Sequence, residues 1–201
     1  MSKIEYYNGN KQLKAAGVNI EFSKEQVTEY IKCSKDPIYF IKKYVKIIHV
    51  DKGTIPFALY PYQERIIATY HNNRKCVVLT GRQQGKSSLT VSYFLWVILF
   101  QADKNIALLA NKAAMARELL SRLQFAYENL PFWLQLGIRE WNKGSIILDN
   151  NSKIFTAATT PSAIRGSSCS HIYCVAGDTQ ITLKNKNTGE IRSVRIDEIQ
   201  N

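Results

Sequence analysis

Hydrophobic positions change their period several times along the chain, and each change marks an element. Up to Gly17 the chain is polar, rich in Lys and Asn and without a period, which predicts a loose arm over residues 1–22. Ser23 followed by Gln26 has the spacing of a capping box and opens a helix, Lys24–Ser34. Asp36-Pro37 starts a second helix, in which Ile38, Phe40, Ile41, Tyr44 and Val45 recur at helical spacing. Ile47–Val50, a turn at Asp51–Thr54 and Ile55–Phe57 read as a short hairpin or loop, and Pro61–His71 as a helix. Cys76–Thr80 reads as a buried strand, Leu89–Phe100 as a helix and Ile106–Ala110 as a second strand. That succession is a βαβ unit and predicts a parallel sheet covered on both faces. Ala113–Asn129 is helical, Ile146–Leu148 and Lys153–Ala157 flank a polar turn as a hairpin, and Ser170–Tyr173 begins another core strand.

The class is therefore α/β, and composition narrows it little further. With 201 residues, 45% hydrophobic and 21% charged, the chain can bury a sizeable core. A net charge of +11 points to a polyanionic partner such as nucleic acid, or to a surface that is basic for solubility alone. Lys42, Lys43, Lys46, Arg74, Lys75, Arg117, Arg122, Lys184 and Lys186 are spread out and define no stripe. Cys33, Cys76, Cys169 and Cys174 lack metal-ligand spacing, so neither zinc nor a disulfide framework is expected. The N-terminus has no apolar signal core, and the run Leu89–Phe100 is too short to span a bilayer, so no membrane is expected.

Candidate chemistry lies between the first strand and the helix. Thr80-Gly81-Arg82-Gln83-Gln84-Gly85-Lys86-Ser87-Ser88 approximates a phosphate-binding loop, G-x-x-x-x-G-K-[ST], with Thr80 where the first glycine belongs and Gly81 one place late. Such a loop points backbone N–H groups at a phosphate beside the positive end of a helix. Lys86 would reach the β/γ-phosphates of ATP and Ser87 would hold Mg²⁺.

With these elements placed, residues Asp36 to Tyr173 resemble the ATPase domain of the large terminase subunit of tailed bacteriophages. The segments that carry the resemblance occur in that family's order. They are Tyr60-Pro61-Tyr62-Gln63, the deviant loop Gly81–Ser87, Leu108–Lys112, Glu140-Trp141-Asn142-Lys143-Gly144-Ser145-Ile146 and Pro161–Gly166. The resemblance implies a P-loop NTPase of the RecA/ASCE type over residues 23–173, a parallel sheet with flanking helices that uses ATP and Mg²⁺. It implies an adenine contact at Gln63, packing of Tyr60 or Tyr62 on the base, and a loop arginine, Arg82, acting as an arginine finger on the γ-phosphoryl oxygens. The alternative for Arg82 is a structural ion pair. Arg165 is expected to contact phosphate or DNA, or to be an ordinary surface arginine, and Trp141 to belong to the core, the alternative being a nucleic-acid stacking platform. Implied partners are double-stranded viral DNA, a portal protein, the small terminase subunit and further copies of the motor, in the cytoplasm of a host cell.

The family's strand at His171-Ile172-Tyr173 should run on into Asp-Glu, which bind Mg²⁺ and activate water. Here it continues as Cys174-Val175-Ala176-Gly177-Asp178-Thr179. This segment resembles the first block of an intein, with Cys174 as nucleophile, Gly177, Asp178 and Thr179 as the block, and Tyr173–Cys174 as the splice junction. Gln180–Asn185 and Ile191–Ile196 alternate as strands of a short β-hairpin. Residues 174–201 are then expected to be the N-terminal half of a split intein whose complement sits on a C-terminal terminase/intein fragment, or else a truncated gene. A helicase-type ATPase, or a nucleotide- or DNA-binding module without turnover, are the competing readings.

Overall fold

The structure is a computed structural model that describes residues 5–81, 83–159, 164, 166–175, 180–184 and 191–195. Its elements in chain order are α1 (Lys24–Lys35), α2 (Pro37–Tyr44), β1 (Lys46–His49), β2 (Gly53–Pro56), α3 (Pro61–Asn72), α4 (Lys86–Phe100), β3 (Asn105–Ala110) and α5 (Ala113–Glu128). There follow β4 (Ile138–Trp141), β5 (Ser145–Leu148), β6 (Lys153–Ala158), β7 (His171–Val175), β8 (Gln180–Lys184) and β9 (Ile191–Arg195).

Local chemistry sets the helix starts. Ser23 Oγ accepts from Gln26 N, and Gln26 Oε1 accepts from Ser23 N, so the capping box opens α1 as the spacing predicts. Asp36 Oδ1 accepts from the N–H groups of Ile38 and Tyr39 and starts α2 behind Pro37. α4 is apolar nearly all round, and its residues from Leu89 to Leu99 are buried. Thr90 and Ser92, buried on this helix, donate their hydroxyls to the carbonyls of Lys86 and Ser88 one turn back, and Trp96 Nε1 donates to Cys33 O at the end of α1. Among the described residues no helix is long and apolar enough to cross a membrane.

The main sheet has the order β4-β5-β6-β3-β7. β3 pairs in parallel with β6 on one side and β7 on the other, and β5 pairs antiparallel with β4 and β6. The sheet is thus mixed, not all-parallel: the predicted hairpin around Asp149–Asn151 joins its antiparallel end. β1–β2 and β8–β9 form separate antiparallel hairpins.

Two expectations need correction. The segment Cys76–Thr80 is not a strand. Its composition favours extended backbone, but a strand needs a ladder to join, and the described sheet ends at β7 without pairing this segment. Val77 is 71% and Leu79 54% exposed as a result. Nor is the N-terminal arm loose over the residues described. Leu13 is 2% exposed within the core, and Gln135 Oε1 accepts from Lys14 N while its Nε2 donates to Gln12 O. Asp149 Oδ2 accepts from Gly17 N at 2.7 Å. Polar composition hides this docking because its apolar anchors, Leu13 with the rings of Tyr6, Tyr7 and Phe22, are scattered and follow no period.

Candidate nucleotide site

The loop before α4 bends by left-handed backbone at two places, Gln83 (φ 61°) and Gly85 (φ 72°). Gly85 occupies the N-cap position, and no described side chain caps the helix there. The first-turn N–H groups of α4 therefore lack the partner that α1 and α2 each receive from a side chain, which leaves them available to an anion. A Cβ at Gly85 would also lie 2.9 Å from Gln63 Nε2, so a side chain is excluded by space as well as by conformation.

Gly81, Gln83, Gln84, Gly85, Lys86, Ser87 and Ser88 border one cavity of about 740 Å³. β1 with the turn behind it and α5 close the other sides, contributing Lys46, Val50, Glu118, Arg122 and Phe125. Its size falls in the range of small-molecule sites. Lys86 Nζ donates to Thr80 O at 3.1 Å, folding its ammonium over its own loop. Thr80 Oγ1 is buried without a hydrogen-bond partner among the described residues, an unmet polar group directly behind the loop.

Gln63 holds the loop from behind. It is 2% exposed, its Oε1 accepts from Tyr60 N at 3.0 Å, and its Nε2 donates to Gln84 O at 3.2 Å. Tyr62 donates its phenol hydrogen to the same carbonyl at 2.9 Å. Tyr60 and Tyr62 stack on each other, with ring centroids 5.8 Å apart. The sequence-predicted glutamine thus meets the loop through the backbone of Gln84.

Residues 77–174 match the family model described as terminase large subunit, T4likevirus-type, N-terminal. The match supports a terminase large subunit, and with it an ATPase-type domain of a viral DNA-packaging machine. The mixed α/β architecture is compatible with that domain.

The terminase match reaches the far end of the sheet, where β7 lies beside β3 with Tyr173 opposite Leu108 and Cys174 opposite Leu109. Tyr173 packs on Phe94 of α4. Burial raises the pKa of its phenol, while the hydroxyls of Thr90 and Ser87 pull it down. One side chain thus links β7 to the start of α4. Cys174 is exposed, with Thr159 Oγ1 at 3.8 Å from its sulfur. Cys33 is enclosed instead, and burial, with the Glu29 carboxylate beside it, pushes its thiol up to about 12.

The segment Glu140–Ser145 builds the turn between β4 and β5. Asn142 Oδ1 accepts from the N–H groups of Gly144 and Ser145, and Glu140 accepts from Asn142 Nδ2 and Ser145 Oγ. Trp141 packs on Tyr127, as expected for a core residue. Arg82, Arg165, Gly177, Asp178 and Thr179 lie outside the described residues. Sequence reasoning missed the contribution of α5: no motif marks Glu118 or Arg122, whose place beside the loop depends on helix packing alone.

Proposed function

We propose that the chain is the ATP-binding N-terminal part of a viral DNA-packaging terminase large subunit, which drives double-stranded DNA into a capsid once joined to a C-terminal fragment. The observation that carries the reading is the start of α4, with its left-handed Gly85, uncapped first turn and adjoining cavity. The backbone of Gly81, Gln83, Gln84, Gly85 and Ser88 would cradle the phosphates, and Lys86 would turn from Thr80 O to the β/γ-phosphates. Gln63 would act on the nucleotide by fixing the loop. Arg82 is assigned as arginine finger by resemblance alone. Mg²⁺, when bound, would neutralise charge on the phosphate oxygens. Ser87 offers it one oxygen, and among the described residues no cluster of His, Cys, Asp or Glu adds a further set of ligands. Since Mg²⁺ is usually held by phosphates and one or two carboxylates, the remaining ligands would come from the partner fragment.

The junction chemistry follows from Cys174. Its thiolate would attack the Tyr173 carbonyl carbon, forming a thioester while the bond to Cys174 N breaks and that nitrogen takes up the proton. A Cys, Ser or Thr of the partner would then accept the acyl group and release residues 174–201. Two features support this: the family match stops at residue 174, and Cys174 is the cysteine exposed on β7. The same fragment would supply the missing Asp-Glu. Assembly with further copies, a portal protein and the small terminase subunit in a host cytoplasm belongs to the same proposal.

A second reading, nucleotide binding without turnover by this chain alone, is favoured by the cavity's acidic content. Glu118 is the one carboxylate among its described lining residues, and Arg122 already holds it. Titration of the full chain with a fluorescent ATP analogue and Mg²⁺ tests the site: binding that Lys86→Ala abolishes is expected, and unchanged affinity in that variant overturns the phosphate loop. Intact-mass analysis after mixing with the C-terminal fragment tests the junction. Ligation that Cys174→Ala blocks and Cys33→Ala spares is expected; ligation by Cys174→Ala refutes splicing.

A further inference from the structure

We propose that Arg122 is a phosphate-binding residue of the nucleotide site, held beside it on α5 by Glu118. The inference rests on the phosphate-loop reading above. Glu118 and Arg122 are one turn apart on α5, and both line the cavity. Arg122 Nη2 donates to Glu118 Oε1 at 2.7 Å, and Nη1 donates to Ser88 Oγ at 3.5 Å. Ser88 stands in the first turn of α4, next to Ser87. A second helix therefore delivers a permanent positive charge to the end of α4 at which an anion would sit.

The chemistry of the pair suits exchange. A guanidinium presents a planar fork of donors that matches two phosphate oxygens at once. Its present acceptor is an i,i+4 carboxylate that is 62% exposed, while Arg122 itself is 47% exposed. Exposed pairs of this kind hold weakly, so the guanidinium can leave Glu118 at small cost. A phosphate bound at the loop would also stand near the Glu118 carboxylate and be repelled by it. Arg122 turned towards the phosphate relieves that repulsion and replaces one carboxylate contact with contacts to a more highly charged group.

Two roles for the pair predict different signs. If Arg122 binds phosphate, Glu118 competes with the nucleotide for it, and the two substitutions move affinity in opposite directions. If the pair only braces α5, breaking it from either end moves affinity the same way.

The test is titration of the full chain with a fluorescent ATP analogue and Mg²⁺, each variant being checked by its melting temperature. Arg122→Ala should weaken binding about tenfold, the scale of one charge-assisted contact, and Arg122→Lys should recover part of it. Glu118→Gln should tighten binding about twofold. A Glu118→Gln variant weakened as much as Arg122→Ala overturns the proposal in favour of a brace. Unchanged affinity in Arg122→Ala, with binding still lost in Lys86→Ala, overturns it while leaving the phosphate loop standing. A wild-type chain that binds no nucleotide removes the phosphate-loop reading and this inference together.

Discussion

Gln63→Ala separates a glutamine that reads adenine from one that fixes the loop. The substitution removes the acceptor for Tyr60 N at 3.0 Å and the donor to Gln84 O at 3.2 Å, both at a residue 2% exposed. Each net hydrogen bond is worth about 1 kcal/mol, and the groups left behind add some desolvation cost, giving about 2–3 kcal/mol in all. For a chain of this length that lowers Tm by roughly 4–12 °C. The bond to Gln84 O is also a tether on the loop itself, so its loss of about 1 kcal/mol should weaken nucleotide binding roughly fivefold. Because that tether acts on the backbone of the proposed phosphate loop, the loss should be equal for fluorescent analogues of ATP and GTP. Thermal melts and paired titrations measure both effects. A loss confined to ATP, with GTP affinity unchanged, would refute loop fixing and return Gln63 to the base.

Two further outcomes concern stability. A Cβ at Gly137 would lie 2.1 Å from Asp149 Oδ2 and 2.8 Å from Ala15 O, and the carboxylate is already bound by Gly17 N and Arg139 Nε. Gly137→Ala should therefore cost about 2 kcal/mol, seen as a Tm fall of roughly 4–8 °C; an unchanged Tm would show that the arm does not dock there. His171 has its pKa lowered from the ordinary imidazole value by burial and then by the charge of Lys104. The unfolded chain binds this proton more readily, so stability is full above about pH 6.5 and falls as pH drops towards the folded value. His171→Asn should flatten that slope in denaturant midpoints measured between pH 5 and 7, and an unaltered slope would assign it to other groups.

Much of the secondary structure was legible because its causes are local. The Ser23–Gln26 box, Asp36 before Pro37 and the polar turn at Asp149–Asn151 act within four residues, and the expected elements form there. The helix start after Gly85 was legible for the same reason, since Gly85 and Lys86 lie in one turn of backbone. Terminase resemblance and the family match converge on this stretch.

What the sequence could not decide were relations between distant segments. Cys76–Thr80 has the composition of a strand, but a segment becomes one only by joining a neighbouring ladder, and the described sheet ends at β7 without it. The polar arm docks through Leu13, Lys14 and Gly17 on groups more than 100 residues away. Gln63 is visible as part of a motif, yet only packing brings its amide onto Gln84 O. Arg122 carries no motif at all and reaches Ser88 because α5 lies against α4. Short-range hydrogen bonding and periodicity are written into neighbouring residues; sheet order, burial of a polar arm and the charges around the cavity arise when segments far apart in the chain meet.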